Sequence, residues 1–170
     1  MLRQRNGFST PNDYAELHME IELNEDFRDL LRLLNSKSVR YLLIGGYAVI
    51  SHGHPRLTND LDVVIANDME NISRCVEALR EFGFAVPGVS AEVFAKPKSV
   101  ARMGVEPVKI EILNYLEGVD FDMAYERRET RLAEDITFDL ISLADLLTNK
   151  KAVGRDKDIL DVKELIKING

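Results

Sequence analysis

Two aspartates stand at the head of an apolar segment, Asp60–Ile65, with the sequence DLDVVI. On a β-strand, residues two positions apart project to the same face, so Asp60 and Asp62 should lie side by side. Neighbouring carboxylates repel one another unless a proton or a cation lies between them. A hard dication such as Mg²⁺ (or Mn²⁺) takes carboxylate and phosphate oxygens as ligands, and a pair of such ions can support phosphoryl or nucleotidyl transfer. The spacing therefore indicates metal-dependent chemistry on a phosphate.

A third carboxylate is available on a second predicted strand. The segment Val108–Leu113 alternates between apolar and polar residues, and it places Glu111 on the face opposite Ile110 and Ile112. If this strand pairs with Asp60–Ile65, Glu111 joins the two aspartates as a metal ligand. The alternative is that Glu111 and its neighbour Lys109 only solvate an exposed face of the sheet.

A glycine pair precedes the acids. Gly45 and Gly46 lie between the apolar segment Val39–Ile44 and a helix-like stretch, where glycine permits a tight turn and a close approach of the backbone. Helix N-terminal N–H groups at this turn could hold a triphosphate. A purely structural strand-to-helix turn explains an isolated glycine pair equally well. The combination of Gly-Gly, thirteen intervening residues and D-x-D on a strand is more specific.

Other patterns define the elements that must position these residues. Helices are predicted over 24–37, over 67–83 with Asn67 and Glu70 in capping-box spacing, over 142–154 with Ser142 and Asp145 at its start, and over 156–168. Strands are predicted over 39–44, 60–65, 106–113 and 135–142. The signal between residues 86 and 104 is weak, and a short helix over 90–97 is the one element that it offers. The order predicts one α/β (α+β) domain over 1–170. It has a mixed sheet flanked by helices, an N-terminal arm over 1–20 and a C-terminal helical pair over 142–168.

Composition narrows the classes of partner. The 170 residues are 45% hydrophobic and 30% charged, with a net charge of −7 and one cysteine. No apolar run is long enough to span a bilayer, the start of the chain does not resemble a secretory signal, and a single cysteine fits a reducing, cytoplasmic setting. The negative charge disfavours non-specific DNA binding, although Glu126–Arg131 or Asn149–Lys157 could form a local basic patch for RNA.

The stretch LLIGGYAVISHGHPRLTNDLDVVI, Leu42–Ile65, resembles the signature of nucleotidyltransferases of the DNA polymerase beta superfamily. Its form is most similar to small bacterial members related to abortive-infection toxins. A second similar stretch, Leu143–Leu165, resembles the helical block that those proteins carry near their C-terminus.

The resemblance implies a role for each matching residue. Asp60, Asp62 and Glu111 would ligate the metal, with Glu111 at a position where the superfamily most often has aspartate. The remaining catalytic and nucleotide-binding assignments are Gly45 and Gly46 at the phosphates, Lys150 or the adjacent Lys151 at the triphosphate, and Asp158 orienting or deprotonating the acceptor.

Two residues of the loop before the acids are further nucleotide-binding candidates. Arg56 could hold a phosphate of the nucleotide, or it could pair with Asp60 or Asp62 when no metal is bound. Thr58 could contact the nucleotide or cap the turn.

These observations favour a Mg²⁺-dependent nucleotidyltransferase that moves a nucleoside monophosphate from an NTP donor to an acceptor. The acceptor could be an RNA end, a protein hydroxyl or a small molecule, and a toxin–antitoxin role would add a cognate antitoxin as a partner. The alternative is a non-catalytic nucleotide-binding or regulatory protein with the same fold. A metal-dependent phosphohydrolase ranks below both, because the chain has only three histidines.

Overall fold

Six β-strands form one mixed sheet in the computed structural model, which describes residues 21–170. The predicted N-terminal arm, 1–20, lies outside the described residues. The strands occur in the spatial order β3-β4-β2-β1-β6-β5. Their bounds are β1 Tyr41–Ile44, β2 Asp60–Ile65, β3 Val100–Val105, β4 Val108–Leu113, β5 Glu129–Ala133 and β6 Ile136–Leu140.

Seven helices accompany the sheet within the described residues. They are α1 Glu25–Ser36, α2 Gly45–Ser51, α3 Met69–Phe82, α4 Ala91–Phe94, α5 Phe121–Glu126, α6 Leu143–Val153 and α7 Asp156–Asn169. The last two pack against one another. The predicted fold class, a mixed sheet flanked by helices with a C-terminal helical pair, is therefore confirmed.

The centre of the sheet is apolar on both of its faces. All four residues of β1 are buried, and β2 buries Leu61 and the segment 63–65. Helix α1 covers part of the sheet with four buried residues at i, i+3, i+4 and i+7, namely Phe27, Leu30, Leu31 and Leu34. This is the face that its sequence pattern predicts. The head of β2 breaks the apolar pattern, because Asp60 and Asp62 are only half-buried there.

The start of α3 differs from the prediction by one residue. Asp68, and not Asn67, caps the helix, with its side chain accepting a hydrogen bond from the backbone N–H of Asn71 at 2.9 Å. Asn67 is exposed. The shift has a physical reason: with Asp68 as the cap, the side chain of Asn71 is buried against the backbone of residues 40 and 66. Its buried amide accepts from the Arg40 N–H at 2.7 Å and donates to the carbonyls of Arg40 and Ala66.

Replacing Asn71 with Ala is expected to lower the free energy of unfolding by about 2–3 kcal/mol, because it leaves the backbone N–H of Arg40 and the buried carbonyl of Ala66 without their side-chain partner. Urea denaturation measures the loss. Asn67→Ala is the matched control, with an expected change within about 0.5 kcal/mol. A loss of about 1 kcal/mol in the control would instead identify Asn67 as the cap.

Three elements were not predicted: β3, α5 and β5. Strands β3 and β5 lie at the two edges of the sheet. Strand β3 contains Gly104, and β5 begins with the polar residues Glu129, Thr130 and Arg131. The Glu126–Arg131 segment forms the end of α5 and part of β5, and its arginines are engaged in ion pairs. Arg127 pairs with Asp145, Arg128 with Asp139 and Arg131 with Glu129. This segment therefore does not present a free basic patch.

No helix between residues 21 and 170 has both the length and the apolar character needed to cross a membrane.

Candidate active site

The registers of the central strands bring the three predicted carboxylates together. Strands β2 and β4 run parallel, with Asp62 opposite Glu111 and Asp60 opposite Lys109. Side chains that face one another on adjacent strands have their Cβ atoms about 5 Å apart. The expectation that Glu111 lies beside the aspartates is confirmed as a matter of position. The metal-binding role of all three residues stays a prediction.

Electrostatics within this group act mainly on Asp62. Burial raises its pKa to about 7, and the negative charges of Glu111 and Asp60 push in the same direction. Lys157 and Lys150 act in the opposite direction, without cancelling the effect. A carboxylate in this position is stabilised in its charged form by a cation, so the group suits a bound dication.

The stability of the metal-free protein is expected to fall as the pH rises from about 4 to 7. In this window the native state holds a proton on Asp62 that the unfolded chain, with a carboxyl pKa near 3.8, has already released. After a discount for the partial exposure of Asp62, the contribution is about 2 kcal/mol. Urea denaturation of the wild type and of Asp62→Asn at pH 5 and pH 8 measures it. The variant should gain more stability relative to the wild type at pH 8 than at pH 5, and an equal difference at both values would contradict the assignment.

The glycine turn lies against the same carboxylate. Gly45 has φ +67°, a left-handed conformation that favours glycine, and a Cβ at this position would overlap the carboxylate of Asp62, with Asp62 Cγ only 2.8 Å away. A Cβ on Gly46 would come within 2.7 Å of Thr58 Cβ. The glycine pair is therefore required by close packing around Asp62 and Thr58.

Gly45→Ala is expected to displace Asp62 and to strain the turn. We expect it to lower the free energy of unfolding by about 1–2 kcal/mol and to weaken Mg²⁺-dependent nucleotide binding at least tenfold. Calorimetry and urea denaturation measure the two effects. Gly88→Ala is the control, because a Cβ there has no heavy atom within 4 Å and Gly88 does not have a positive φ. Normal nucleotide binding by Gly45→Ala would show that the turn does not shape the site.

The loop before β2 contributes Arg56 and Thr58. Arg56 does not pair with Asp60 or Asp62 in this structure. Its Nη2 donates to Asp161 Oδ2 at 3.3 Å, and its Nε lies 3.1 Å from Asp161 Oδ1. Arg56 therefore links this loop to α7. The assignment of Arg56 and Thr58 to nucleotide binding stays a prediction.

A buried ion-pair network joins α6 to α7. Lys150 Nζ lies 2.9 Å from Asp158 Oδ1 and 2.8 Å from Asp161 Oδ2, and all three side chains are no more than 5% exposed. Arg155 adds a hydrogen bond to Asp158 Oδ2 at 2.6 Å. The adjacent Lys151 is exposed and does not line the site, so the structure brings Lys150 to it and not Lys151.

The network bears on the two roles that were predicted for Asp158. Burial disfavours its charged form, but hydrogen bonds from Arg155 and Lys150 outweigh burial and hold the pKa of Asp158 below its ordinary value. A carboxylate with a lowered pKa and two cationic donors is a weak base. Of the two alternatives, orienting the acceptor therefore fits Asp158 better than deprotonating it.

A cavity of about 550 Å³ contains these groups. Its lining includes Gly45, Asp60, Asp62 and Glu111, together with apolar side chains of β3, β4 and α6. Sequence reasoning did not assign three cationic residues that line it: Arg102, Arg155 and Lys157. Arg155 and Lys157 lie within the basic stretch Asn149–Lys157, whereas Arg102 carried no signal. The pKa of Arg155 is raised, mainly by its hydrogen bond to Asp158 and further by the negative charges of Asp62 and Glu111.

The donor set fits Mg²⁺ in its chemistry, because it consists of carboxylate oxygens on rigid strands. In the described conformation, however, residues 21–170 contain no group of three His, Cys, Asp or Glu side chains placed to hold a metal ion. Glu111 is engaged elsewhere, since its Oε1 accepts a hydrogen bond from Arg102 Nε at 2.7 Å. Metal binding with all three carboxylates therefore requires Glu111 to turn away from Arg102.

The mixed sheet places Gly-Gly directly after one strand and D-x-D at the head of its neighbour, which is the arrangement that the resemblance to nucleotidyltransferases implies. The family model for nucleotidyl transferases of unknown function (DUF2204) matches residues 23–170, and the chain belongs to this family. This match confirms the resemblance to nucleotidyltransferases that the sequence motifs indicated. A comparison with curated protein sequences finds no match.

The solved structures that share the fold include two with TM-scores above 0.5. One is the lincosamide antibiotic adenylyltransferase LnuA with lincomycin bound, which has a TM-score of 0.59 and 17% identity over 86% of this chain and 98% of its own. The other is a Thermotoga maritima protein assigned provisionally as a nucleotidyltransferase, which has a TM-score of 0.55 and 16% identity over 83% of this chain and 90% of its own.

Proposed function

We propose that the protein transfers a nucleoside monophosphate from an NTP to a hydroxyl acceptor, with Mg²⁺ held by Asp60, Asp62 and Glu111. One observation carries the proposal. The parallel register of β2 and β4 places Asp62 opposite Glu111, inside a cavity that also contains the Gly45 turn and the cationic groups of Arg155 and Lys157. Carboxylates for a metal and cations for a polyphosphate thus face one another.

In the proposed reaction, the acceptor oxygen forms a bond to the α-phosphorus of the NTP. The bond from that phosphorus to the oxygen that bridges to the β-phosphate breaks, pyrophosphate leaves, and the hydroxyl proton passes to solvent. Bound Mg²⁺ would supply charge neutralisation at the α-phosphate and at the leaving pyrophosphate.

The chain's own residues bind and orient the substrates. Gly45, which lacks a side chain, lets the Asp62 carboxylate lie against the turn and so holds it in the cavity. Arg155 and Lys157 neutralise the triphosphate from the α7 side of the cavity. Lys150 acts indirectly in this proposal, by holding Asp158 and Asp161 in place.

The acceptor belongs to one of three classes: an RNA end, a protein hydroxyl or a small molecule. The fold shared with a lincosamide adenylyltransferase supports a small-molecule acceptor. The resemblance of Leu42–Ile65 to toxin-type nucleotidyltransferases supports an RNA or protein acceptor, with an antitoxin as partner. The net charge of −7 weighs against RNA unless the cations of the cavity contact it.

Calorimetric titration of the four ribonucleoside triphosphates, each with and without Mg²⁺, tests the proposal. Saturable binding that requires Mg²⁺ would support it and identify the donor base. Transfer of label from the preferred NTP to pools of RNA, protein and small hydroxyl compounds would then identify the acceptor class.

The competing proposal is a nucleotide-binding protein without catalysis, which the engagement of Glu111 by Arg102 favours. Mg²⁺-dependent NTP binding without pyrophosphate release in the presence of any acceptor pool would select this alternative. Failure of the folded protein to bind any triphosphate would exclude both proposals.

A further inference from the structure

Arg102 lies on the edge strand β3, directly across from Glu111 on β4. Because Glu111 is itself opposite Asp62, the registers place Arg102, Glu111 and Asp62 in one row across three neighbouring strands. Glu111 is in the middle of the row. Its carboxylate can therefore turn toward Asp62 or toward Arg102.

In this structure Glu111 turns toward Arg102, with Arg102 Nε 2.7 Å from Glu111 Oε1. The guanidinium supplies the positive charge that a third metal-ligating carboxylate would otherwise obtain from the metal. Arg102 must therefore be displaced before Glu111 can reach a metal. The other cation on this face, Lys109, is engaged by Glu106 at 2.9 Å.

The exposure of the Arg102–Glu111 ion pair allows it to be exchanged for other contacts. The side chain of Arg102 is 71% exposed, while that of Glu111 is 28% exposed. An ion pair with one partner so exposed contributes little to stability and exchanges easily for other contacts. Arg102 also lines the cavity in which the triphosphate is proposed to bind, and a guanidinium can bind phosphate oxygens through two donors at once.

We propose that Arg102 is a positioning residue with two partners. It holds Glu111 away from Asp60 and Asp62 in the free protein, and it binds phosphate oxygens of the nucleotide once Glu111 turns to the metal. The inference rests on the proposed function, because it requires both a metal and an NTP in the cavity. It predicts that one substitution changes the affinities for metal and for nucleotide in opposite directions.

The test compares Arg102→Gln with the wild type in two binding experiments. Mn²⁺ binding without nucleotide, followed by electron paramagnetic resonance, is expected to become about threefold tighter, because Glu111 loses its competing partner. NTP binding in saturating Mg²⁺, followed by calorimetry, is expected to become about tenfold weaker, because a charged hydrogen-bond donor to phosphate is lost.

Two further variants keep the result interpretable. Arg80→Gln removes an exposed arginine on α3 that does not line the cavity, and it should change neither affinity. Arg102→Lys keeps the charge but loses the two-donor geometry, and its nucleotide affinity should fall between those of the wild type and Arg102→Gln. Circular dichroism and urea denaturation confirm that each variant is folded.

Weaker binding of both Mn²⁺ and NTP in Arg102→Gln would overturn the inference, since Arg102 would then orient Glu111 toward the metal. Unchanged affinities would overturn it too, and would leave the ion pair as surface charge. Either result, obtained with a wild type that binds NTP, leaves the proposed function standing. A wild type that binds neither Mn²⁺ nor NTP overturns the proposed function itself.

Discussion

Asp62→Asn is expected to abolish Mg²⁺-dependent nucleotidyl transfer, with a loss of at least about a thousandfold in the rate of pyrophosphate release. Asn has nearly the shape of Asp, so the packing of Asp62 against the Gly45 turn should survive. What is lost is the charge that faces Glu111 across β2 and β4. Mg²⁺-dependent NTP binding should weaken in parallel, and the two quantities can be measured with the donor that the titrations identify.

Asp68→Asn is the matched control. It removes the same charge a few residues further along, at the cap of α3, where Asn caps a helix as well as Asp does. We expect wild-type activity from it. If Asp62→Asn, correctly folded, retained more than about a tenth of the wild-type rate, the carboxylate row would not be the catalytic centre.

Lys150→Met is expected to have the second large effect, this time on stability. It leaves the buried carboxylates of Asp158 and Asp161 without their shared cation, and removing one partner of a buried ion pair costs about 3–5 kcal/mol. Arg155 and Arg56 each still contact one of these carboxylates, so the loss should lie near 3 kcal/mol. Urea denaturation measures it.

Lys151→Met tests the same chemical change on the exposed neighbour, and it should alter stability by no more than about 0.5 kcal/mol. A triple variant that also carries Asp158→Asn and Asp161→Asn should recover part of the stability lost in Lys150→Met, because no buried charge is then unpaired. If Lys150→Met were as stable as the wild type but bound NTP poorly, Lys150 would be a direct triphosphate ligand, as the family resemblance implies.

The part of the site that lies on regular strands could be predicted from the sequence. The alternation of apolar and polar residues in Val108–Leu113 predicted the face of the strand on which Glu111 lies. The spacing of Asp60 and Asp62 predicted that these two share one face. Both follow from the two-residue period of a strand, which is a local property. The pairing of β2 with β4 is not local, but two strands with acids on one face and a core on the other leave few alternatives.

The rest depended on contacts between distant residues. Strand β3 is an edge strand with Gly104 inside it, so its pattern was too weak to predict, and the contact of Arg102 with Glu111 exists only through that strand. The burial of Lys150 was also hidden, because lysines are rarely buried without partners. The spacing of Asp158 and Asp161, one turn apart on α7, was the available signal that a cation faces them.

The order of the strands has a consequence for how the chain folds. Strand β1 meets β2 through the short α2 connection, and β2 then pairs with β4, so the carboxylate row closes through contacts of moderate separation along the chain. The pairing of β1 with β6 joins residues 43 and 140, and the Arg56–Asp161 contact spans a still longer separation. Closing long loops costs more entropy, which slows such steps. We therefore expect the carboxylate row to form before the contacts that join α7 to the loop before β2.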